Sequence, residues 1–280
     1  GAPLPVYTKD GQISWTPNVT EITGRVHLEE PIFGDHFRFL AQTVTTATPK
    51  ITVPSPSMAH FRVDLSKSPY AGYEEFRADV AATYAAEVAA LYALGCRYLQ
   101  LDDTIFAFLN DPAWRANANA TGIDPDRQHE INVDVINTAL ADKPADLAVT
   151  VHMCRGNYRS AWFSSGGYDF VAEHVFGQLA VDGLFLEYDD ERSGTFEPLR
   201  YVPDDQIVVL GIVTTKTPEL ESKDTLKRRI DEAAKHVDLD RLCISGQCGF
   251  ASTVEGNALT IDQERAKLDL LVETAAEVWG

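Results

Sequence analysis

Residues 147–154 read Leu-Ala-Val-Thr-Val-His-Met-Cys, an apolar, β-branched run that ends in two metal-capable side chains. Such a run suits a strand buried in a sheet. Residues two apart in a strand project to the same face, so the His152 imidazole and the Cys154 thiol point the same way. Similar runs recur along the chain. Ile51–Ser55, Tyr98–Asp102, Ala148–Cys154, Gly183–Tyr188, Gln206–Val213 and Arg241–Gly246 are six strand candidates. Amphipathic stretches separate or follow them at Tyr73–Leu94, Asp126–Leu140, Tyr168–Leu179, Lys223–Val237 and Ile261–Trp279. Alternating β and α elements predict a parallel sheet. Asp124-Pro125 opens one helix and Gly95 closes the first, as capping chemistry asks.

Polar residues collect after the strands, at Ser55 to His60, Asp102-Asp103, His152 to Asn157, Glu187 to Asp190, Thr214 to Lys216 and Gln247-Cys248. A (β/α)8 barrel keeps its site at the carboxyl ends of its strands. The expected class is therefore α/β, a (β/α)8 TIM-type barrel rather than an open sheet. Eight strands are required, yet the first 45 residues hold only the alternation Glu21–Leu28 and a helix-like Gly34–Val44. The expectation is a barrel short of its first one or two βα units, in a chain that begins with Gly and lacks about two repeats of ~30 residues. Residues 1–280 read as a single catalytic barrel domain, with 1–48 an irregular lead-in of hairpin and helix and 49–280 six βα units. No low-complexity tract or Gly/Ser linker divides it.

The chain has 45% apolar residues, and its 24 Lys+Arg against 42 Asp+Glu give a net charge of −18. That sign excludes a surface built to displace counterions from nucleic acid. Apolar runs such as Ile207 to Leu210 fall far short of the roughly 20 residues that span a bilayer, and the N-terminus carries no signal pattern. A cytoplasmic protein is expected. Four cysteines without dense spacing do not form a secreted disulfide framework. Cys96 and Cys243 read as small buried hydrophobes. His36, His129, His174 and His236 lie on helical patterns, as surface or packing residues.

A lone H-x-C pair is more often a core histidine beside a buried cysteine than a ligand pair. Here Glu187 ends the next strand and Cys248 follows the last one, so three strand ends meet at one mouth. Two thiolates, an imidazole and a carboxylate make a tetrahedral Zn²⁺ shell, since soft sulfur argues against Mg²⁺ or Ca²⁺. Glu187 has a second reading, as the partner of a substrate hydroxyl or amine.

These residues resemble the cobalamin-independent methionine synthases, in their C-terminal catalytic barrel and their shorter single-barrel relatives. His152-Met153-Cys154 looks like the family's His-Met-Cys zinc pair. Glu187 in Phe-Leu-Glu falls at its zinc glutamate, and Cys248-Gly249 looks like its Asp-Cys-Gly thiol site. The resemblance runs from about residue 20 to the end. It implies Zn²⁺ as cofactor and methyl transfer to the thiol of homocysteine, with Asp102, in Tyr98-Leu-Gln-Leu-Asp102, binding the amino group. Two departures bear on the donor. Thr214-Thr215-Lys216-Thr217-Pro218 stands where the family has Asp-Ile-His-Ser, and Pro54 to His60 lacks a Trp for stacking a pterin. With a net acidic surface added, a polyglutamyl methylfolate is expected to be used poorly.

Chemically, a free thiol with a pKa of about 8.5 is mostly protonated at neutral pH, and a metal-bound one is not. Asp103, Lys216 and His60 are the catalytic candidates that could deliver or orient a proton. Each has a plainer reading, with Asp103 capping a turn, His60 bonded to a loop carbonyl and Lys216 in solvent. Asp102, Asn157 and Tyr188 are the substrate-binding candidates, with Arg62 weaker. Asp189-Asp190-Glu191 reads as a solvated loop. The partners expected are a homocysteine-like thiol and a methyl donor, folate or corrinoid, without nucleic acid or membrane and with a homo-oligomer left open. Two alternatives stand beside this one. One is zinc-dependent alkyl transfer to another thiol such as coenzyme M. The other is a zinc-binding barrel that needs a corrinoid donor protein, or further strands, to turn over.

Overall fold

The computed structural model describes residues 4–8, 11–16 and 18–280. Leu4–Thr8 (β1) and Gly11–Trp15 (β2) pair as an antiparallel hairpin, and Thr20–Glu21 (β3) follows. Gly34–Thr43 (α1) leads to Ile51–Pro54 (β4), Pro56–His60 (α2), Val63–Asp64 (β5) and Tyr73–Ala93 (α3). Tyr98–Asp103 (β6) precedes Ile105–Phe108 (α4), Pro112–Ala120 (α5) and Gln128–Leu140 (α6). Ala148–Met153 (β7), Ala172–Gln178 (α7), Gly183–Glu187 (β8) and Ile207–Val213 (β9) come next. Lys223–Ala233 (α8), Leu242–Gly246 (β10) and Ile261–Trp279 (α9) complete the chain.

β4, β6, β7, β8, β9 and β10 form one parallel sheet in sequence order, with β4 and β10 at its two ends. This is the expected α/β barrel order. Each of the six predicted strands is present to within one residue at either end. Among the described residues β4 and β10 are not paired with each other. The N-terminal alternation yields only the two-residue β3, which pairs with β5 outside that sheet.

Why these runs make this layer follows from period two. Leu99 and Leu101, Val149, Val151 and Met153, Leu184 and Leu186, Val208 and Leu210 alternate along their strands and are fully buried in one core. Each such side chain contributes roughly 1.5–3 kcal/mol through removal from water. The opposite face carries Gln100, Asp102, Thr150, His152, Phe185 and Glu187, and this second set builds the site.

Helix bounds differ more than strand bounds. α7 begins four residues after Tyr168, because Val171 and Ala172 both bond back to the Tyr168 carbonyl as a turn. α8 stops at Ala233, and the amides of Lys235 and His236 tighten to i→i−3 bonds, a common way for a helix to end. One expectation fails on burial: Cys243 is exposed. It lies on the terminal strand β10, which among the described residues has a neighbouring strand on one side only. Cys96 is buried as expected. No helix among the described residues is long and apolar enough to cross a membrane.

Candidate metal centre

β7 delivers His152, and its extension continues for one more residue because the Cys154 N–H donates to the Asp103 carbonyl at 2.7 Å. The chain then turns sharply. Gly156 takes φ +88°, and a Cβ there would run into the Phe163 ring, so only glycine allows the turn. Its N–H donates to Cys154 Sγ at 3.3 Å.

β8 delivers Glu187, which is fully buried and stands opposite Gly211 of β9. A Cβ on Gly211 would lie 2.8 Å from Gln247 Cα. That missing side chain lets the segment after β10 pass close to Glu187. β10 also shifts register between Ser245 and Gly246, a bulge of the kind that re-aims side chains beside active sites. Together these features bring Cys248 to the mouth.

Donor atoms of His152, Cys154, Glu187 and Cys248 all lie within 4.8 Å of one another. The two sulfurs are 3.6 Å apart. Glu187 Oε1 accepts the Arg155 N–H at 2.9 Å, and the Tyr168 hydroxyl accepts the Glu187 N–H at 2.9 Å. Among the described residues, Glu187 Oε2 and His152 Nε2 are buried without hydrogen-bond partners. Orphaned buried polar atoms cost about 1–3 kcal/mol each, so a ligand that engages both is favoured. Two thiols, an imidazole and a carboxylate suit zinc, and these residues fit that ion.

The electrostatics point the same way. Burial opposes the charged imidazole, yet Cys248 with the charges of Glu187 and Asp102 outweighs it and lifts His152 to about 9. Contact with Cys154 and with His152 pulls the Cys248 thiol down against burial, while the same sulfur contact pushes Cys154 up. Burial raises Glu187, and Lys216 opposes that rise. The cluster is short of positive charge.

Around it, the structure places the other expected residues unevenly. Asp102 stands beside His152 in register and accepts the Gln100 side-chain amide at 2.7 Å. Burial pushes its carboxyl up, with His152 pulling it back. Asn157 clasps the Cys248 loop, donating to the Gly249 carbonyl at 2.6 Å and Ser252 Oγ at 2.7 Å. Lys216 is buried rather than in solvent, and its Nζ has no hydrogen-bond partner among the described residues.

Three residues lie elsewhere. Asp103 points to the other face of β6, where it accepts the Ser55 hydroxyl and the Ile105 and Phe106 N–H groups as a turn cap. Tyr188 packs between Tyr168 and Phe196 in the layer behind β8. His60 is buried in a neighbouring cavity, without a hydrogen bond to a loop carbonyl among the described residues.

Sequence reading missed other members. Asp189 is buried and ion-paired to Arg192 at 2.9 Å, so the acidic run is not simply a solvated loop. Arg192 also approaches Glu187 Oε2 to 3.8 Å; the Asp-x-x-Arg spacing was the available signal. A cavity of about 400 Å³ opens beside the thiols, lined by Cys154, Asn157, Met58, Phe108, Trp114 and Phe163 among others. Trp114 stacks on Phe108 with ring centroids 3.9 Å apart, and no spacing in the chain marked it.

The family model described as "Cobalamin-independent synthase, Catalytic domain" matches residues 71–277. The chain belongs to that family. The uncharacterized protein YxjG of Bacillus subtilis (strain 168) is 49% identical over 261 residues, covering 92% of this chain and 69% of YxjG. A solved structure from Listeria monocytogenes, titled a putative vitamin-B12 independent methionine synthase, is 38% identical with a TM-score of 0.75. That match covers 93% of this chain and 73% of the Listeria chain. A B12-independent methionine synthase from Shewanella sp. W3-18-1, solved with selenomethionine, is 20% identical with a TM-score of 0.70 and covers 99% of this chain and 74% of its own. The Shewanella likeness supports the fold of the synthase family.

Proposed function

We propose that this chain is a zinc-dependent methyltransferase that carries a methyl group to the thiol of homocysteine or a similar amino-acid thiol. The observation that supports it is the convergence of His152, Cys154, Glu187 and Cys248 within 4.8 Å, beside a cavity with aromatic walls. These four residues would hold Zn²⁺, which when bound supplies a Lewis acid that keeps an incoming thiol deprotonated.

The chain's own groups do the rest. The Arg155 N–H fixes Glu187 through Oε1 and leaves Oε2 without a hydrogen bond among the described residues. Asp102, next to His152, is the anion placed to take a substrate ammonium. Phe108, Trp114 and Phe163 give the space beside Cys154 apolar walls against which a donor's ring can pack. Lys216, buried at the mouth with its charge acting on Glu187, is the residue we assign to orient the donor's leaving group. Asp103 serves the same site by fixing the β6 turn.

Asp102 favours an amino-acid thiol over an uncharged one such as coenzyme M, because burial disfavours its charged form and a substrate ammonium beside it would offset that cost. The test is single-turnover transfer to homocysteine by zinc-loaded protein, from methyltetrahydrofolate, its triglutamate and a methylated corrinoid in separate reactions. Methionine formed faster than without protein, from any of the three, is the expected result. No methionine from any donor with folded, zinc-loaded protein would overturn the proposal.

A further inference from the structure

A second cavity of about 410 Å³ adjoins the one above Cys154, and Phe61, Arg62, Val63 and Trp114 line both. Its own walls add His60, Arg77, Asn117 and Gln128, with Asp124 as the single acidic residue among them. In a protein with a net charge of −18, two guanidinium groups facing one cavity beside a single exposed carboxylate are unexpected.

His60 shows that the space is built rather than incidental. Its side chain is 2% exposed, and neither ring nitrogen has a hydrogen-bond partner among the described residues. Among the described residues Arg77 Nε is likewise buried without one, and the Arg62 guanidinium lies over the Trp114 ring at 4.9 Å. Unmet donors in a basic cavity are what a carboxylate or phosphate satisfies, through short charge-assisted bonds.

We infer that this cavity is a subsite for the anionic end of the methyl donor, whose reactive end reaches the neighbouring cavity above Cys154 past Phe61 and Trp114. This rests on the methyl-transfer reading, because it names a part of that donor. The shared chemistry is an oxyanion, and it has two sources. A folate brings carboxylates, and a corrinoid with a nucleotide loop brings a phosphate. The charge that a donor meets here is local and basic, so the acidic mean charge does not by itself disfavour an anionic donor.

The experiment is calorimetric titration of the intact, zinc-loaded protein with glutarate and, separately, with inorganic phosphate. Saturable binding of at least one is expected, with glutarate preferred if the source is a carboxylate and phosphate preferred if it is a phosphate. Arg77→Gln should weaken that binding at least about tenfold, the value of one charge-assisted hydrogen bond. Arg77→Lys should restore part of it. Asp124→Asn, which keeps the acceptor for the Asp126 N–H and removes the opposing charge, should tighten it about twofold or more. No saturable binding of either anion, unchanged affinity in Arg77→Gln, or no tightening in Asp124→Asn would overturn the subsite. Neither thiol nor turnover enters this measurement. Failure to make methionine therefore counts against the methyl-transfer reading alone, and failure to bind anions counts against the subsite alone.

Discussion

Cys154 and Cys248, 94 residues apart in the chain, hold their sulfurs 3.6 Å from each other at the ends of β7 and β10. Nothing local in the chain pairs them. The meeting depends on the parallel order of the strands, on the bulge at Ser245/Gly246 and on the absence of a side chain at Gly211.

Two thiols this close are an oxidation hazard when no metal occupies them. Metal-free protein treated with a mild thiol oxidant should form a Cys154–Cys248 disulfide, because both sulfurs are within easy reach of bonding distance. Zinc added first should protect them. Peptide mapping by mass spectrometry checks this, and equal disulfide yield with and without zinc would count against a shared metal.

Asn157 holds the Cys248 loop without touching the cluster as a ligand. Its amide donates to Gly249 and Ser252 and accepts from Asn257 at 2.9 Å. Removing such support commonly costs 10- to 100-fold in metal affinity. Asn157→Ala should therefore lower zinc affinity by about that factor in a chelator competition, while the fold's circular dichroism stays the same.

Asp102 gives a selective prediction. Asp102→Asn should weaken homocysteine binding about tenfold or more, and should barely change binding of a simple alkyl thiol of equal length. Calorimetry on zinc-loaded protein reads both. Equal losses for the two thiols would remove the amine-recognition role.

A pH effect follows from His60. Burial first and the Arg77 charge second pull this imidazole down from 6.5 to about 4. Below pH 6.5 the unfolded chain takes up a proton that the folded protein refuses until about pH 4, so stability falls as pH drops through that window. The full span is worth about 3 kcal/mol. In His60→Gln that part of the loss should vanish, as read from urea unfolding at a series of pH values. Identical pH slopes in the two proteins would contradict it.

How far the chain's residues announced all this depends on where each one sits. Strands such as Ala148–Met153 were legible because a doubly covered parallel strand is written as an apolar run. The convergence of the four side chains was legible because each of His152, Glu187 and Cys248 closes or follows such a run. Period two also explains the residues that landed elsewhere. Tyr188 follows Glu187 and Asp103 follows Asp102, so each must face away from its neighbour and pack behind the sheet. Applied one residue further, the same rule would have sent both to the outer layer.

Trp114 was not legible: it reaches both cavities from the short helix α5, whose placement is set by tertiary packing, and no periodicity encodes such a placement. Arg62 was readable only as a weaker pocket candidate for the same reason. Arg192 was readable only as a neighbour of Asp189 at i,i+3; its approach to Glu187 needed the folded turn. Exposed Cys243 shows the converse, since an apolar strand pattern says nothing about which strand lies at the end of the sheet.

The central claim is that His152, Cys154, Glu187 and Cys248 bind one zinc ion. Metal content of protein purified under reductant with zinc supplied, then exhaustively dialysed, tests it most directly, with Cys154→Ser and Cys248→Ser measured alongside. The account predicts one Zn²⁺ per chain in the unaltered protein and loss of most of it in each variant. Absence of stoichiometric zinc, or its full retention in either serine variant, would contradict it.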